Sequence, residues 1–383
     1  MERNGIDLWV IVSREYNEDP VIRTMLPSTW ISARRRTILV FYNNPATKQF
    51  EKIAIARYNV GDNIKAEWDM QKFPDQWDAL MHIISTRNPK KIGINTSTHF
   101  GHADGLDITD YNEMMAKLPA AFKSKVVSAA TLAVNWLETR TEREMQLYPQ
   151  LVYETRKIIE EGFSSKVITP GVTTTDDLVW WFRQKLSDIG LITWFHPSIE
   201  IQRRVSNEKD NVIRPGDFLH VDFGITYLRL NSDVQEHAYV LLPSEKEVPA
   251  TLQAAFTKTN QLQDFLTNEF ALGKSGNAIL KQALTNAKAA GINPSIYTHP
   301  IGFHGHAAGT TIGMWDFQNG VPGSGDYTMK PNTCYSIELN ATHTLTGWDK
   351  PVKVALEQNG YFSGTRFDYI DGRQTKIHAI QPK

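Results

Sequence analysis

Residues 214–241 read RPGDFLHVDFGITYLRLNSDVQEHAYVL, and this stretch decides the fold of the C-terminal half of the chain. An Arg-Pro-Gly-Asp turn opens a strand of alternating character, and a second turn near residues 227–231 returns the chain as another strand. Asp222 and Asp233 lie on either side of that second turn, so an antiparallel hairpin brings their carboxylates together. Two ionised acids this close need a cation between them, or one of them takes up a proton.

Three more candidate ligands follow in short apolar segments. His306 lies in GFHGHAAG, Glu338 in YSIEL and Glu357 in VALEQ. A buried ionised carboxylate is costly unless a charge or a metal compensates it, although any one of these acids taken alone also fits a solvated strand end. Four carboxylates and one imidazole together form an oxygen-rich set that suits a pair of divalent cations.

Length and patterning predict two domains. The 383 residues exceed one typical domain. Residues 1–130 alternate short apolar strands (LWVIV, TILVFY, KIGIN) with a helical segment, which predicts an α/β domain without a phosphate loop or dinucleotide fingerprint. Residues 137–383 predict an α+β domain whose first helix opens at a capping box formed by Thr141 and Glu144. Pro149 predicts a kink or a break in that helix.

Composition excludes several classes of function. The chain has 41 basic and 42 acidic residues, so it offers no electrostatic case for nucleic acid or an anionic membrane as a partner. A small cluster of three consecutive arginines, residues 34–36, is interpreted as a solvated strand entry in preference to a binding patch. No segment approaches the ~20 apolar residues of a membrane helix. The N-terminus lacks an export leader, so the default expectation is a soluble, cytoplasmic protein, although a leader already removed would leave no trace.

The matching motifs resemble those of the pita-bread metallopeptidases, the family of methionine aminopeptidase, aminopeptidase P, prolidase and their non-peptidase relative creatinase. The stretches that carry the resemblance are PGVTTTDDLVWWFRQKLSDIGL, RPGDFLHVDFG, SDVQEHAYVL, GHAAG, YSIEL and VALEQNGYF. The resemblance implies a C-terminal pita-bread fold preceded by a smaller α/β creatinase-type N-terminal domain. It is closest to two-domain Xaa-Pro aminopeptidases, which implies a peptide or small amide substrate and a homodimer.

The same resemblance implies a role for each candidate ligand. Asp222 would chelate one metal, Asp233 and Glu357 would bridge both, and His306 and Glu338 would complete the second. Glu338 is also the implied catalytic proton shuttle for the attacking water. Two divalent ions are therefore the expected cofactors, with manganese first and cobalt or zinc as alternatives.

The substrate side departs from the pattern that the resemblance implies. The family carries a histidine seven to nine residues after the metal histidine, another four residues before it, and a third ahead of the first metal aspartate. Counted from His306, the first two positions hold Trp315 and Gly302, and the third, in the segment ahead of Asp222, falls near Val205 and Ser206. Losing one such hydrogen-bond donor typically costs about 10²–10³ in rate.

Four other histidines are candidate replacements. His304, two residues before the metal histidine, is the best of them and the candidate catalytic imidazole; His299, His196 and His220 are the others. A hydrogen-bonded structural role fits each of the four at least equally well. Three functions therefore stay open: a metallopeptidase with an altered substrate side, a metal-retaining binding protein without peptidase activity, and a creatinase-like C–N hydrolase.

Overall fold

The computed structural model describes residues 1–205 and 210–382, and the chain divides into two units, Met1–Leu137 and Glu138–Lys383. Both units combine helices with sheets, which confirms the mixed class predicted from the sequence. Within the described ranges, each helix is too short or too polar to cross a membrane.

The N-terminal unit is built on a six-stranded sheet with the order β4-β3-β2-β1-β5-β6. Its strands are β1 Leu8–Arg14, β2 Arg36–Asn43, β3 Phe50–Ile55, β4 Lys65–Ala66, β5 Ile92–Ile94 and β6 Val126–Ser128. Its helices are α1 Pro20–Met25, α2 Gln76–Arg87, α3 Ile108–Lys117, α4 Ala120–Lys123 and α5 Ala130–Glu138, with 3-10 turns at Glu2–Asn4 and Gly101–Ala103. The strands predicted from LWVIV, TILVFY and KIGIN are confirmed, and their continuous burial explains the unbroken apolar runs.

The C-terminal unit contains a nine-stranded sheet with the main path β13-β15-β16-β12-β9-β8, and a small sheet β11-β10-β7. The strands are β7 Ile192–Thr193, β8 Ser198–Gln202, β9 Phe218–Phe223, β10 Ile225–Tyr227, β11 Leu230–Asn231, β12 Val234–Val240, β13 Pro294–Ile296, β14 His299–Pro300, β15 Thr333–His343, β16 Val352–Phe362, β17 Phe367–Tyr369 and β18 His378–Ile380. The helices are α6 Glu142–Gly162, α7 Thr175–Asp188, α8 Ala250–Thr267 and α9 Gly276–Ala289. Strands β14, β17 and β18 pair with β15, β16 and β12.

The hairpin expected from residues 214–241 forms between β9 and β12. Leu228 and Arg229 have positive φ values of 49° and 68°, which reverses the chain in two residues. Asp222 pairs across the strands with Gln235, so Asp233 lies diagonally from it on the same face. The two aspartates therefore approach each other by a diagonal pairing rather than a direct one.

The first helix of the C-terminal unit begins where the sequence predicts. Thr141 and Thr174 both form capping boxes, at the starts of α6 and α7. Helix α6 runs through Pro149 without interruption, so the predicted break is wrong. Pro149 is exposed, whereas Tyr148 and Leu151 beside it are buried. Packing of the apolar face therefore holds the helix together, and the hydrogen bond that proline removes lies on the solvent side.

Two hydrophobic cores support the large sheet. One packs α8 and α9 against β15 and β16 and includes the fully buried Phe256 and Leu356. The other packs α6 and α7 against β9 and β12, with Phe182 and Phe223 in tilted ring contact at 4.8 Å. Burying apolar surface on several helices at once fixes the strand register, and that register positions the acidic residues.

Candidate metal centre

Four adjacent strands carry one row of polar residues across the nine-stranded sheet. The register pairs Asp222 of β9 with Gln235 of β12, Gln235 with Glu357 of β16, and Glu357 with Glu338 of β15. Residues directly opposite each other on neighbouring strands point to the same face of a sheet. The register therefore gathers three of the predicted acids around Gln235, which the sequence did not single out.

Asp233 joins this row from the position just before β12. Its backbone N–H donates to Oδ1 of Asn359 at 3.1 Å, and Nδ2 of Asn359 donates to its carbonyl oxygen at 3.0 Å. The hydroxyl of Ser336 donates to the same carbonyl oxygen at 3.3 Å. With its backbone held in this way, Asp233 offers a carboxylate oxygen within 4.8 Å of ligand atoms on Asp222 and Glu357.

His299, in the short strand β14, brings an imidazole to the acids. Its Nε2 lies 3.6 Å from Oε1 of Glu357, 3.8 Å from Oδ2 of Asp233 and 4.0 Å from Oε2 of Glu338. Its Nδ1 donates to the carbonyl oxygen of Pro300 at 2.9 Å, which leaves the lone pair of Nε2 facing the carboxylates. A backbone partner on one ring nitrogen and a free lone pair on the other are typical of a metal-binding histidine.

His306, the histidine predicted as the nitrogen ligand, lies further towards solvent. It is exposed, its ring centroid is 4.6 Å from that of His299, and one of its nitrogens lies within 4.8 Å of ligand atoms of Asp233 and His299. Trp194 packs edge-on against the ring at 5.3 Å, and Tyr297 lies at 5.8 Å. The structure thus brings two imidazoles to the acids: His299 is buried, and His306 lies between His299 and solvent.

Several of these ligand atoms are buried without a hydrogen-bond partner. Among the described residues they include Nε2 of His299, Oδ1 of Asp222, Oδ1 of Asp233 and Oε1 of Glu357. Each unsatisfied buried polar atom typically costs about 1–3 kcal/mol, and few occur in one place without a reason. Divalent cations coordinate carboxylate oxygens and imidazole nitrogens of this kind, so the donor set fits a metal.

The electrostatics of the centre indicate the same need for positive charge. Burial, followed by the neighbouring charge of Glu357 and other acids, raises the pKa of Asp222, Asp233 and Glu338 well above the usual range. Burial also acts to raise the pKa of Glu357, but its polar neighbours, first the adjacent imidazole of His299 and then the amide of Gln235, lower it below its ordinary value. Bound divalent cations would remove this repulsion and allow all four acids to ionise.

Gln235 links the two glutamates of the row. Its Nε2 donates to Oε1 of Glu338 at 2.8 Å and to Oε2 of Glu357 at 2.7 Å. Its Oε1 accepts a hydrogen bond from Nε2 of His220 at 2.8 Å, and burial lowers the pKa of that histidine. Because the amide group cannot titrate, Gln235 fixes the orientation of two candidate ligands at any pH.

The other two histidine candidates have different surroundings. The ring of His304 contacts Phe303 at 5.0 Å, and His304 belongs to none of the ligand clusters found among the described residues. His196 contacts Arg183 at 3.2 Å and lies near the exposed Trp180. The structure therefore groups His299, rather than His304, with the acids.

The three positions where the sequence departs from the family pattern also have distinct environments. Trp315 is 45% exposed and its ring lies 5.8 Å from that of Tyr297, which in turn contacts the rings of His299 and His306. A Cβ added at Gly302 would lie 2.7 Å from Nη1 of Arg140, so a histidine there would displace that side chain. Val205 is exposed, and Ser206 lies outside the described residues.

Comparison with known families identifies the class of protein. The family model of metallopeptidase family M24 matches residues 152–368, more than half of the chain. No curated protein matches the chain in sequence. The chain belongs to metallopeptidase family M24, which confirms the resemblance read from its motifs and makes it a peptidase whose substrate class is open.

Solved structures of similar fold cover almost the whole chain. An X-Pro aminopeptidase from Thermotoga maritima MSB8 matches with a TM-score of 0.69 and 14% identity over 99% of both chains. An Xaa-Pro dipeptidase from Bacillus anthracis matches with a TM-score of 0.60 and 16% identity, over 99% of this chain and 96% of that one. The N-terminal domain of FACT complex subunit SPT16 from Cicer arietinum matches at 0.58 and 11%, over 99% and 94%. At such low sequence identity, the structural similarity shows a shared fold and no more. The expected pita-bread fold is confirmed.

Proposed function

We propose that the chain is a peptidase with two divalent cations that cleaves peptides at an Xaa-Pro bond. The observation that carries the proposal is the row of Asp222, Glu357 and Glu338, joined by Asp233 and His299. Within the described residues, all of these except Glu338 have a buried ligand atom without a hydrogen-bond partner. Two of the similar structures are named for action on Xaa-Pro peptides, which supports this substrate class. Manganese as the native metal and a homodimer as the assembly form part of the same proposal.

The proposed ligands are Asp222, Asp233, His299, Glu338 and Glu357. His299 takes the place assigned to His306 from the sequence, because its Nε2 faces three of the acids and its Nδ1 is already engaged. His306 then stands seven residues after the nitrogen ligand, which is the spacing that the family resemblance implies for a substrate-side histidine. The departure from the family pattern is therefore smaller than the sequence alone suggests.

The chain's own residues divide the catalytic work as follows. When bound, a pair of divalent cations lowers the pKa of a water molecule and polarises the scissile carbonyl. Glu338 accepts a proton from the attacking water and passes it to the leaving amine, and at 7% exposure it is more accessible than Asp233 or Glu357, at 3% and 1%. His306 donates a hydrogen bond to the developing charge while Trp194 holds its ring. The exposed face of Trp315 suits an apolar ring such as that of proline.

The test is hydrolysis by protein reconstituted with manganese, on a panel of Xaa-Pro and Xaa-Ala dipeptides and tripeptides. The proposal expects chelator-sensitive cleavage that prefers the proline peptides. Glu338→Gln is expected to lower turnover per bound metal by about 10²–10⁴, because it removes the proton shuttle. Glu247→Gln, an exposed glutamate elsewhere in the C-terminal unit, is the matched control. Undiminished turnover in Glu338→Gln would refute the assigned role.

Two other functions are outcomes of the same assay. Stoichiometric metal without cleavage of any peptide would favour a metal-retaining binding protein. Two observations support this alternative: the amide of Gln235 binds both glutamates, and a tryptophan occupies position 315. Hydrolysis that survives complete removal of metal would favour a creatinase-like C–N hydrolase.

A further inference from the structure

The N-terminal unit contains a second candidate site, independent of the metal centre. A cavity of about 580 Å³ is lined by five arginines, Arg14, Arg34, Arg35, Arg36 and Arg57, together with aromatic side chains and two glutamates. The whole chain has a net charge of −1, so this concentration of guanidinium groups does not follow from its composition. It includes the three consecutive arginines whose place in the sequence favours a solvated strand entry.

Two of the arginines are neutralised by the fold. Arg14 pairs with Asp110 at 2.9 Å, and Arg36 contacts Asp110 at 3.2 Å and Glu113 at 2.7 Å. The carboxylate of Asp110 is 1% exposed and lies between the two guanidinium groups. These ion pairs explain Arg14 and Arg36 as structural residues that form the base of the cavity.

The other three arginines have no such explanation. Arg34, Arg35 and Arg57 are exposed, and within the described residues no carboxylate lies within 4.0 Å of their guanidinium nitrogens. Glu15, the second glutamate of the lining, is bonded to the backbone of Arg35: its Oε2 accepts from the N–H at 3.3 Å. Three unpaired guanidinium groups therefore face one carboxylate, which leaves the cavity with an excess of positive charge.

Aromatic rings hold two of these three guanidinium groups in place. Arg34 lies over the ring of Trp30 at 5.0 Å and near that of Tyr58 at 5.6 Å, and Arg57 lies over Trp68 at 5.9 Å. A guanidinium stacked on a ring keeps the N–H donors at its edge available. Holding the side chain against an aromatic face also reduces the rotamer entropy lost when a ligand binds. Arg34 and Arg57 are thus oriented before any anion arrives.

We propose that this cavity binds a small molecule with at least two anionic groups, phosphate or carboxylate. Arginine forks match both groups with paired hydrogen bonds, and the cavity volume lies in the range of about 300–1,000 Å³ that is typical of small-molecule sites. A small ligand fits better than a nucleic acid because the site is a cavity of limited volume, and the chain as a whole has no excess of basic residues.

The experiment is calorimetric titration of the full chain with inorganic pyrophosphate and, separately, propane-1,2,3-tricarboxylate. Variants Arg34→Gln and Arg57→Gln each remove one oriented guanidinium group. Arg183→Gln is the matched control, because Arg183 is an exposed arginine stacked on Trp180 at 5.0 Å in the other unit. The variant Glu357→Gln is titrated as well, because a change in its anion affinity would show that the anion binds at the metal centre instead of this cavity.

The proposal expects one saturable site per chain, with affinity reduced about tenfold or more in Arg34→Gln and Arg57→Gln and unchanged in Arg183→Gln and Glu357→Gln. Affinity should fall between about 0.1 M and about 1 M salt, since the screening length shrinks from about 10 to about 3 Å. Tighter binding of pyrophosphate assigns a phosphate ligand, and tighter binding of the tricarboxylate assigns a carboxylate ligand. Absence of saturable binding for both anions, equal affinity in wild type and both cavity variants, or loss of binding in Glu357→Gln would overturn the proposal.

Discussion

Glu138 is a buried acid that packs beneath the segment carrying His306, and its substitution gives a quantitative test of the structure. The side chain is 1% exposed, and the hydroxyl of Tyr327 donates to its Oε1 at 2.9 Å. Within the described residues its Oε2 has no hydrogen-bond partner, and it lies 2.7 Å from where a Cβ would stand at Gly309. The substitution Glu138→Gln keeps the shape of this group and removes its ability to ionise.

The magnitude follows from the pKa of the carboxyl group. Burial raises the pKa of Glu138 to about 8, from an ordinary value of 4.5. Between these two values the folded chain holds one more proton than the unfolded chain, so the free energy of unfolding falls as the pH rises through this window. Each pKa unit corresponds to about 1.4 kcal/mol, which sets an upper limit of about 5 kcal/mol; local relaxation reduces this, and we expect about 2–4 kcal/mol.

The assay is urea denaturation in the presence of chelator, with wild type, Glu138→Gln and the exposed control Glu247→Gln compared at about pH 5 and about pH 9. Glu138→Gln should match wild type at the lower pH and exceed its stability by about 2–4 kcal/mol at the higher pH. Glu247→Gln should follow wild type throughout. Parallel pH profiles for wild type and Glu138→Gln would refute the reasoning, because another group would then carry the pH dependence.

Three further predictions concern the metal centre and its support. Gly305→Ala adds a methyl group that would clash with the ring of Trp194, so it should lower the free energy of unfolding by about 1–3 kcal/mol. It should also reduce kcat/KM, because Trp194 packs against His306. Gly101→Ala, with open space around its Cβ, is the control, and equal losses of stability in urea titrations would contradict the packing argument. Gln235→Leu should weaken metal affinity about 10–100-fold in a competition with a fluorescent chelator, and unchanged affinity would show that the amide orients nothing. Chelation should lower Tm more at about pH 8 than at about pH 5, because protons compete with cations for the buried carboxylates; equal shifts would count against a carboxylate-rich site.

The acids could be predicted from the sequence because their signals are local. Strand alternation and apolar flanks mark Asp222, Glu338 and Glu357 as inward-facing carboxylates without reference to the rest of the chain. The row that they form could not be predicted in the same way. The position of Gln235 opposite Glu357 depends on a strand register between segments 122 residues apart, so its role became visible only in the fold.

The nitrogen ligand was ambiguous for a different reason. The segment THPIGFHGHAAG contains three histidines without strand or helix periodicity, so nothing local indicates which ring turns inward. In the fold, β14 pairs with β15, which sets His299 opposite Ser336. Ser336 lies two residues before Glu338 in β15, so His299 is close to that acid. A long-range pairing of two residues thus favours His299 over His306.

The surroundings of the arginine cluster also depend on contacts that are distant in sequence. In the sequence, residues 34–36 are three charges at the start of a strand, a position that solvent commonly covers. The structure adds Tyr58 and Trp68 from a separate segment, and it pairs Arg36 and the distant Arg14 with the buried Asp110. Aromatic partners that come from distant parts of the chain cannot be assigned from local sequence.

The most direct test of the proposed metal centre is elemental analysis of manganese-loaded wild type, His299→Ala and His306→Ala, each paired with an Xaa-Pro cleavage assay. We predict about two ions per chain in wild type, loss of at least one ion together with turnover in His299→Ala, and a full metal complement with reduced turnover in His306→Ala. Full metal occupancy in His299→Ala, with loss of metal in His306→Ala, would contradict the account and return the nitrogen ligand to His306.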